Sequence, residues 1–210
     1  MGQILLVRHG QASWGAADYD VLSDLGEEQA SAVGAALADV QPDVVVHGSM
    51  ERQRRTAELA AAAAGWSVPL SEDDRWNEMD HLAVLAAQPA HFEGEPDKRQ
   101  FQAWFEAATD RWTSADFDHE YDEPYPEFRS RVLAALSALS DYGTAVVVTS
   151  GGPVSVVTSE LLDAGLSTYR RLAPVVVNAS VTTVVSGSRG LTLVGFNEHR
   201  HLPGRLLSYR

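Results

Sequence analysis

The sequence contains no cysteine, which excludes disulfides and thiolate metal sites. Lysine is nearly absent too, so almost every cation is an arginine, whose rigid fork matches the oxygens of phosphates and carboxylates. No apolar run approaches the roughly 18–20 residues that a membrane span needs. The first seven residues have no basic leader, so we expect a first core strand there rather than a targeting segment, and a cytoplasmic protein.

Positive charge is scarce as well. The chain has 16 Lys+Arg against 29 Asp+Glu, a formal net charge of −13. This excess repels nucleic acid and anionic membrane surfaces, so we expect neither as a partner. It also opposes any anionic ligand, which makes a local cluster of arginines conspicuous. The remaining composition, 45% hydrophobic and 21% charged over 210 residues, is typical of one globular domain with an ample core.

The most informative stretch is residues 4–11, where an apolar run ends in Arg8, His9 and Gly10. Four apolar residues in a row predict a strand covered on both faces, and Gly10 allows the chain to turn away tightly. Ligands bind at the carboxyl ends of parallel strands, so Arg8 and His9 are expected at the mouth of a site. Taken alone, such a pair is more often an ordinary surface feature, so its meaning depends on the rest of the chain.

Hydrophobic periodicity and chain breakers predict alternating strands and helices. At the first helix, Asp24 and Glu27 are expected to form a capping box. The pattern predicts an α/β fold: a three-layer sandwich with a mostly parallel central sheet and helices on both faces, in a single domain spanning residues 1–210. The predicted strands are 4–7, 43–47, 144–149, 180–185 and 191–196, and the predicted helices are 24 to about 38, 51–64, 97–112, 126–140 and 151–162.

Three arginines crowd the first turns of the predicted helix 51–64, where the helix dipole disfavours cations. Such a placement has a reason if one of them holds an anion at the edge of the sheet. We assign this role to Arg52, the earliest of the three. Arg54 and Arg55 are expected to face solvent or to pair with nearby carboxylates.

Glu78 lies beside Trp76 and Met79, where partial burial would favour its protonated form and suit it to act as an acid. From residue 83 to about 126 the composition changes, and prolines, aromatic residues and acidic residues become frequent. This segment is predicted to be an inserted helical cap that folds over the strand ends and sets substrate choice.

A third loop, Ser150-Gly151-Gly152, follows the strand 144–149 and opens a helix, so its backbone amides can approach a phosphate. Together with Arg8-His9 and Arg52 it predicts an anion pocket that contains a histidine. A metal site is not predicted, because His199 and His201 lie two apart without a third ligand at suitable spacing.

These motifs resemble those of the histidine phosphatase superfamily, the phosphoglycerate-mutase-like proteins, and the resemblance extends over nearly the whole chain. The motifs are Leu6-Val7-Arg8-His9-Gly10-Gln11, the helix start at residues 22–30, Ser49-Met50-Glu51-Arg52 with Thr56-Ala57, Glu78, and the late Gly-Gly turn.

The resemblance implies that His9 is the nucleophile, which takes the phosphoryl group as a phosphohistidine, and that Glu78 gives a proton to the leaving oxygen. It further implies that no metal or other cofactor is needed. The implied phosphate-binding residues are Arg8, Arg52, Gln11, Ser150 and Gly151.

One position departs from the family pattern. Ser150 stands where the family usually has a second histidine, and serine brings no positive charge to a phosphate, so transition-state stabilisation is expected to be weaker. His201 aligns with a histidine often found near the C-terminal end of family members. The sequence leaves open whether His201 or His81 reaches the pocket.

The leading hypothesis is a metal-independent phosphatase, a phosphoric monoester hydrolase, whose partner is a small phosphorylated substrate. An alternative is a non-catalytic phospholigand-binding module, which Ser150 favours. A phosphoglycerate mutase ranks below both, because the segment between Gln11 and Ser23 lacks features for a second phosphate. A nucleotide-binding domain would need a Gly-x-Gly-x-x-Gly or Gly-Lys-Ser/Thr loop, and the sequence has neither. Substrate identity and oligomeric state are left open.

Overall fold

The computed structural model describes residues 2–13 and 20–209, apart from the Lys98 side chain. Within these residues the fold is organised around a six-stranded sheet of order β3-β2-β4-β1-β5-β6. Neighbours among β3, β2, β4 and β1 pair in parallel, whereas β5 is antiparallel to both β1 and β6. The predicted mostly parallel sheet is confirmed. The strands are β1 (Gly2–Arg8), β2 (Val44–His47), β3 (Leu70–Glu72), β4 (Thr144–Thr149), β5 (Val181–Gly187) and β6 (Gly190–Glu198).

Helices connect these strands, and five of them lie within a few residues of their predicted positions. Among the described residues no helix is long and apolar enough to cross a bilayer. The helices are α1 (Asp24–Ala36), α2 (Glu51–Ala64), α3 (His81–Ala86), α4 (Lys98–Trp112), α5 (Tyr125–Ala138), α6 (Gly151–Leu161) and α7 (Gly165–Leu172).

Helical layers cover both faces of the sheet. Side chains alternate along β1, so Ile4 and Leu6 enter one core and Leu5 and Val7 the other. The first core is closed by α5 and α6, and the second by α1 and α2. Full burial of each such side chain stabilises the fold by roughly 1.5–3 kcal/mol. The arrangement matches the predicted three-layer α/β fold.

The start of α1 differs from the prediction. Its N-cap is Ser23, which has an extended backbone (φ −76°, ψ 166°), and the Ser23 hydroxyl accepts a hydrogen bond from the Gly26 N–H at 3.1 Å. Asp24 is already the first helical residue. The predicted capping box of Asp24 and Glu27 is therefore wrong, because the chain enters the helix one residue earlier.

The predicted elements do not include α7 or β3. Helix α7 has only eight residues, so its apolar residues Leu166, Tyr169 and Leu172 repeat over about two turns, which is too short a pattern to predict a helix. Strand β3 has three residues at the edge of the sheet, too few to give a pattern that predicts a strand.

The loop after β1 packs tightly on the first turn of α1. A Cβ placed on Gly26 would lie 2.2 Å from the Gln11 carbonyl oxygen, and one on Gly10 would lie 2.3 Å from the Gly26 oxygen. The Gly10 N–H donates to the Thr56 hydroxyl of α2 at 3.0 Å. Both helices therefore fix the short loop that leads away from His9.

Candidate active site

His9 follows β1 and is buried, with 5% of its surface exposed. Its Nδ1 lies 2.7 Å from the Gly10 carbonyl oxygen. A carbonyl can only accept, so the proton belongs on Nδ1 and Nε2 presents its lone pair. The Arg52 Nε lies 3.2 Å from that Nε2. The His9 main chain is anchored as well: its N–H donates to the Thr149 oxygen at 2.8 Å, and its oxygen accepts from the Asn178 side chain at 3.1 Å.

The surroundings keep this imidazole neutral. Burial lowers the pKa of His9 well below its usual value of 6.5, and the positive charges of Arg52 and Arg8 lower it further. The Gly10 carbonyl has the opposite effect on this pKa and does not offset the others. The neutral form is the nucleophilic form of the ring, so His9 is available for attack at neutral pH.

Two guanidinium groups flank His9. Arg52, in the first turn of α2, is 5% exposed, and its Nη1 lies 2.5 Å from an Asp20 carboxylate oxygen. The other Asp20 oxygen accepts from the Glu51 N–H at 2.8 Å. Arg8, at the end of β1, donates from Nη1 to the main-chain oxygens of Val176 and Tyr209. These contacts orient the two cations before any ligand arrives.

The remaining two arginines of α2 point elsewhere. Arg54 pairs with Glu51 at 2.5 Å and Glu58 at 2.7 Å, and Arg55 pairs with Glu27 at 2.9 Å. Both side chains are exposed on the helix surface. The prediction that they pair with nearby carboxylates is confirmed.

Glu78 lies at the amino end of α6. One carboxylate oxygen accepts from the Gly152 N–H at 2.9 Å and the other from the Met79 N–H at 3.2 Å. A Cβ on Gly152 would lie 2.0 Å from the Glu78 carboxylate, so glycine at 152 is what permits this approach. The contact brings Glu78 to the end of β4, next to Gly151.

A cavity of about 340 Å³ joins these groups. Arg8, His9, Arg52, Glu78 and Gly151 all line it, which brings together residues from three separate loops.

Of the two histidines that the sequence left open, His81 lines the cavity. Burial lowers the pKa of His81, and the charge of Arg52 lowers it further, against the opposing effects of Glu78 and Asp80. His201 is not among the described lining residues. Its Nε2 lies 2.9 Å from the Ala179 oxygen.

Two of the predicted phosphate-binding residues lie away from the cavity. Ser150 is fully buried, and its hydroxyl accepts a hydrogen bond from the Gln53 side chain at 2.8 Å. The Gln11 side-chain oxygen accepts from the Ser23 hydroxyl at 2.9 Å. Neither residue is among the described residues that line the cavity.

The cavity is also lined by residues that were not among the predicted site residues. Phe101, Phe105 and Asp110 come from α4, and Tyr169 and Arg170 come from α7. Phe101 and Phe105 are four residues apart in the predicted helix 97–112, and this spacing predicts that they lie on the same face of the helix. Tyr169 and Arg170 belong to a helix of eight residues, whose apolar pattern is too short to be recognised from the sequence.

The arrangement suits a tetrahedral anion, because two cations, a neutral nucleophile and a carboxyl group line the same cavity. In the parts of the chain that the structure describes, no three His, Asp or Glu side chains cluster as a metal site. The segment between Gln11 and Ser23, on which the argument against a second phosphate rests, includes residues 14–19, which lie outside the described residues.

Comparison with known proteins identifies the family of the chain. The model of the histidine phosphatase superfamily (branch 1) matches residues 4–199. A probable phosphoglycerate mutase of Erwinia tasmaniensis, GpmB, is 30% identical over 181 residues, which are 82% of this chain and 80% of that protein. The chain spans about half the length of further curated relatives, which are 2,3-bisphosphoglycerate-dependent phosphoglycerate mutases.

Solved structures share the fold. A phosphoserine phosphatase mutant of Entamoeba histolytica superposes with a TM-score of 0.70 at 18% identity, over 97% of this chain and 100% of that one. A mycobacterial glucosyl-3-phosphoglycerate phosphatase does so with a TM-score of 0.66 at 20% identity, over 95% of this chain and 100% of that one. The family match covers most of the chain, and the chain therefore belongs to the histidine phosphatase superfamily (branch 1).

Proposed function

We propose that the protein is a phosphatase that hydrolyses a small phosphomonoester through a phosphohistidine on His9. The observation that carries this proposal is the orientation of the buried imidazole: Nδ1 is directed to the Gly10 oxygen, and Nε2 faces Arg52 at the cavity. The phosphatases among the relatives support the same reaction class.

The first step transfers the phosphoryl group to the protein. The His9 Nε2 lone pair forms a bond to phosphorus as the bond from phosphorus to the ester oxygen breaks, and Glu78 gives its proton to that oxygen. Arg8 and Arg52 neutralise the non-bridging oxygens, on which charge accumulates in a loose transition state. The Gly151 amide, at the amino end of α6, adds a further donor.

The second step hydrolyses the intermediate. Water attacks phosphorus, the Glu78 carboxylate takes a proton from that water, and the electron pair of the nitrogen–phosphorus bond returns to His9. Inorganic phosphate leaves and the starting protonation of both residues is restored. No step requires a metal ion. Gln11 and Ser150 enter the proposal indirectly, through Ser23 and Gln53, which position the loops.

Residues 83–126 enter the proposal as a cap within a single domain. Helix α4, in this segment, supplies lining residues of the cavity that also contains His9. A leaving group released at Glu78 would therefore contact the cap, and the sequence of the cap would set substrate choice.

The test is hydrolysis of 4-nitrophenyl phosphate between pH 5 and 8 in the presence of EDTA, comparing the wild type with His9→Ala. We expect turnover by the wild type and a loss of at least about 1,000-fold in the variant, because the nucleophile is removed. Acid-labile phosphate trapped on the wild type, and absent from the variant, would identify the intermediate.

The non-catalytic module is the second candidate, and Ser150 favours it because the position brings no charge to a phosphate. It predicts that the wild type is no faster than His9→Ala while vanadate still binds with measurable affinity. The mutase alternative predicts instead that 3-phosphoglycerate is converted to 2-phosphoglycerate faster than inorganic phosphate is released.

A further inference from the structure

The residues that line the cavity form two groups of different chemistry. Arg8 and Arg52 supply positive charge around His9. The second group, which we call the distal wall, consists of the lining residues of α4 and α7: Phe101, Gln102, Phe105, Glu106, Thr109, Asp110, Tyr169 and Arg170.

Helix periodicity produces the chemistry of the distal wall on its α4 side. Phe101 and Phe105 lie one turn apart and stack, with ring centroids 6.4 Å apart and an interplanar angle of 13°. Glu106 and Asp110 form the adjacent row, again four residues apart, and both line the cavity. One face of α4 thus presents an aromatic strip beside an acidic strip.

The distal wall carries a net negative charge. Arg170 is the one cation among its described residues, and it is already engaged: its Nε lies 2.8 Å from the Thr113 hydroxyl and 3.2 Å from an Asp110 carboxylate oxygen. Its Nη2 donates to the Asp110 main-chain oxygen at 3.0 Å. Arg170 is therefore paired with Asp110. Among the described residues of the distal wall, no other cation is present to pair with Glu106.

Tyr169 adds no charge to the distal wall. It is 1% exposed, and its ring centroid lies 5.0 Å from that of Tyr125. Burial raises the pKa of Tyr169 well above its usual value, and the charge of Glu78 raises it further, so the phenol stays neutral.

From this wall we infer the class of leaving group: an aromatic or otherwise apolar alcohol that carries no second negative charge. The inference rests on the proposed phosphatase function and specifies its substrate. A second anionic group would meet the carboxylates of Glu106 and Asp110, which are solvent-exposed, so the repulsion is moderate and weakens as salt is added. An aromatic body would instead cover Phe101 and Phe105. The cavity volume of about 340 Å³ falls in the range of small-molecule pockets.

Phosphoglycerates, which occur in the names of several relatives, carry a carboxylate and fall outside this class. The protein would then differ in substrate from these relatives while sharing their reactive half. The difference would lie in the face of α4 and in the engagement of Arg170.

A matched pair of substrates isolates the charge. Phenyl phosphate and 4-(carboxymethyl)phenyl phosphate share one ring, and the methylene insulates the leaving oxygen from the carboxylate. We expect kcat/KM, measured as released inorganic phosphate, to be roughly three- to tenfold higher for phenyl phosphate, and 3-phosphoglycerate to be slower than either.

Variants show whether the distal wall is the cause. Glu106→Gln is expected to reduce the ratio of the two kcat/KM values severalfold. Glu127→Gln is the control: this exposed acid lies on α5 outside the described lining residues, and its removal should leave the ratio unchanged. Phe105→Ala is expected to raise KM for phenyl phosphate more than it lowers kcat, because it removes contact area remote from the reacting atoms.

The outcomes separate the two proposals. Equal or faster turnover of the carboxylated ester by the wild type, or a ratio that Glu106→Gln leaves unchanged, would overturn the inference on the leaving group and leave the phosphatase intact. A wild type that releases phosphate from none of these esters any faster than His9→Ala would overturn the phosphatase itself and the inference with it.

Discussion

At the scale of single residues, the buried imidazole of His9 depends on charges that are already in place around it. Arg8 and Arg52 lower the pKa of His9, and Asp20 holds Arg52 through a carboxylate that also caps the Glu51 N–H. A buried cation without such compensation would be costly. The site therefore combines a neutral nucleophile with two positioned cations, and the proton needed for the leaving group must come from elsewhere.

Glu78 is the residue to test as that proton source. Glu78→Gln keeps the shape of the side chain and removes the transferable proton. We expect kcat/KM for phenyl phosphate to fall by about 100- to 10,000-fold, and kcat/KM for 4-nitrophenyl phosphate to fall far less, because nitrophenolate leaves without protonation. Steady-state kinetics with the two esters makes the comparison. Equal losses for both would mean that Glu78 acts only on structure.

Ser150 was expected to bind phosphate, but it is buried in the interior. Its hydroxyl contacts Gln53 in the interior, so Ser150→Ala is expected to lower the free energy of unfolding by about 1 kcal/mol and to change kcat/KM less than about threefold. Urea denaturation and steady-state kinetics measure the two effects. Ser159→Ala, at another buried serine of α6, is the matched control. A tenfold loss of kcat/KM in Ser150→Ala alone would assign the hydroxyl to the phosphate.

At the scale of elements, the position of His9 depends on close contact between the loop after β1 and the first turn of α1. Gly26→Ala places a Cβ 2.2 Å from the Gln11 oxygen, a main-chain atom that cannot move without moving the loop. We expect a cost of about 1–3 kcal/mol in unfolding free energy and up to about 100-fold in kcat/KM, since misplacement of a nucleophile by about 1 Å has that effect.

Thermal denaturation and kinetics measure the effects of Gly26→Ala. Gly187→Ala is the control, because nothing lies within 4 Å of a Cβ there. Wild-type kcat/KM in a folded Gly26→Ala protein would show that the loop is positioned by other contacts.

The elements that sequence reasoning located are those with a strong local pattern. Strand β1 is an unbroken apolar run, and the loops after β1 and β2 carry charged motifs, which is why Arg8, His9 and Arg52 could be placed at one edge of the sheet. The wall supplied by α7 could not be placed, because Tyr169 is the single buried residue of a short helix. A periodic pattern needs several turns before it can be distinguished from chance.

Side-chain direction was the other limit of sequence reasoning. Ser150 lies next to the cavity in the chain, yet its hydroxyl contacts Gln53, because the extended backbone at the N-cap of α6 directs it into the interior. The Gln11 side chain contacts Ser23 for a similar reason, since the loop is pressed against α1. Adjacency in sequence fixes the neighbourhood of a residue, and packing decides which way the side chain faces.

At the scale of the whole molecule, burying neutral histidines should make the free energy of unfolding depend on pH. The pKa values of His9, His81 and His201 are all lowered in the folded protein, in each case mainly by burial. As the pH falls below the unfolded value of about 6.5, the unfolded chain binds protons that the folded chain does not. The free energy of unfolding therefore decreases on acidification, by at most about 1.4 kcal/mol per pH unit for each such histidine.

His9→Asn isolates the contribution of the active site to this dependence. The variant removes one proton-binding group from the unfolded state, so its free energy of unfolding should fall less steeply than that of the wild type between pH 6.5 and 5.5, by about 1 kcal/mol over that interval. Urea denaturation at pH 7.5, 6.5 and 5.5 gives both curves, and the difference in slope is informative even if the variant is less stable at every pH. Parallel curves would show that His9 titrates in the folded protein as it does in the unfolded chain, and the argument for a nucleophile held neutral by burial and by its two arginines would fail.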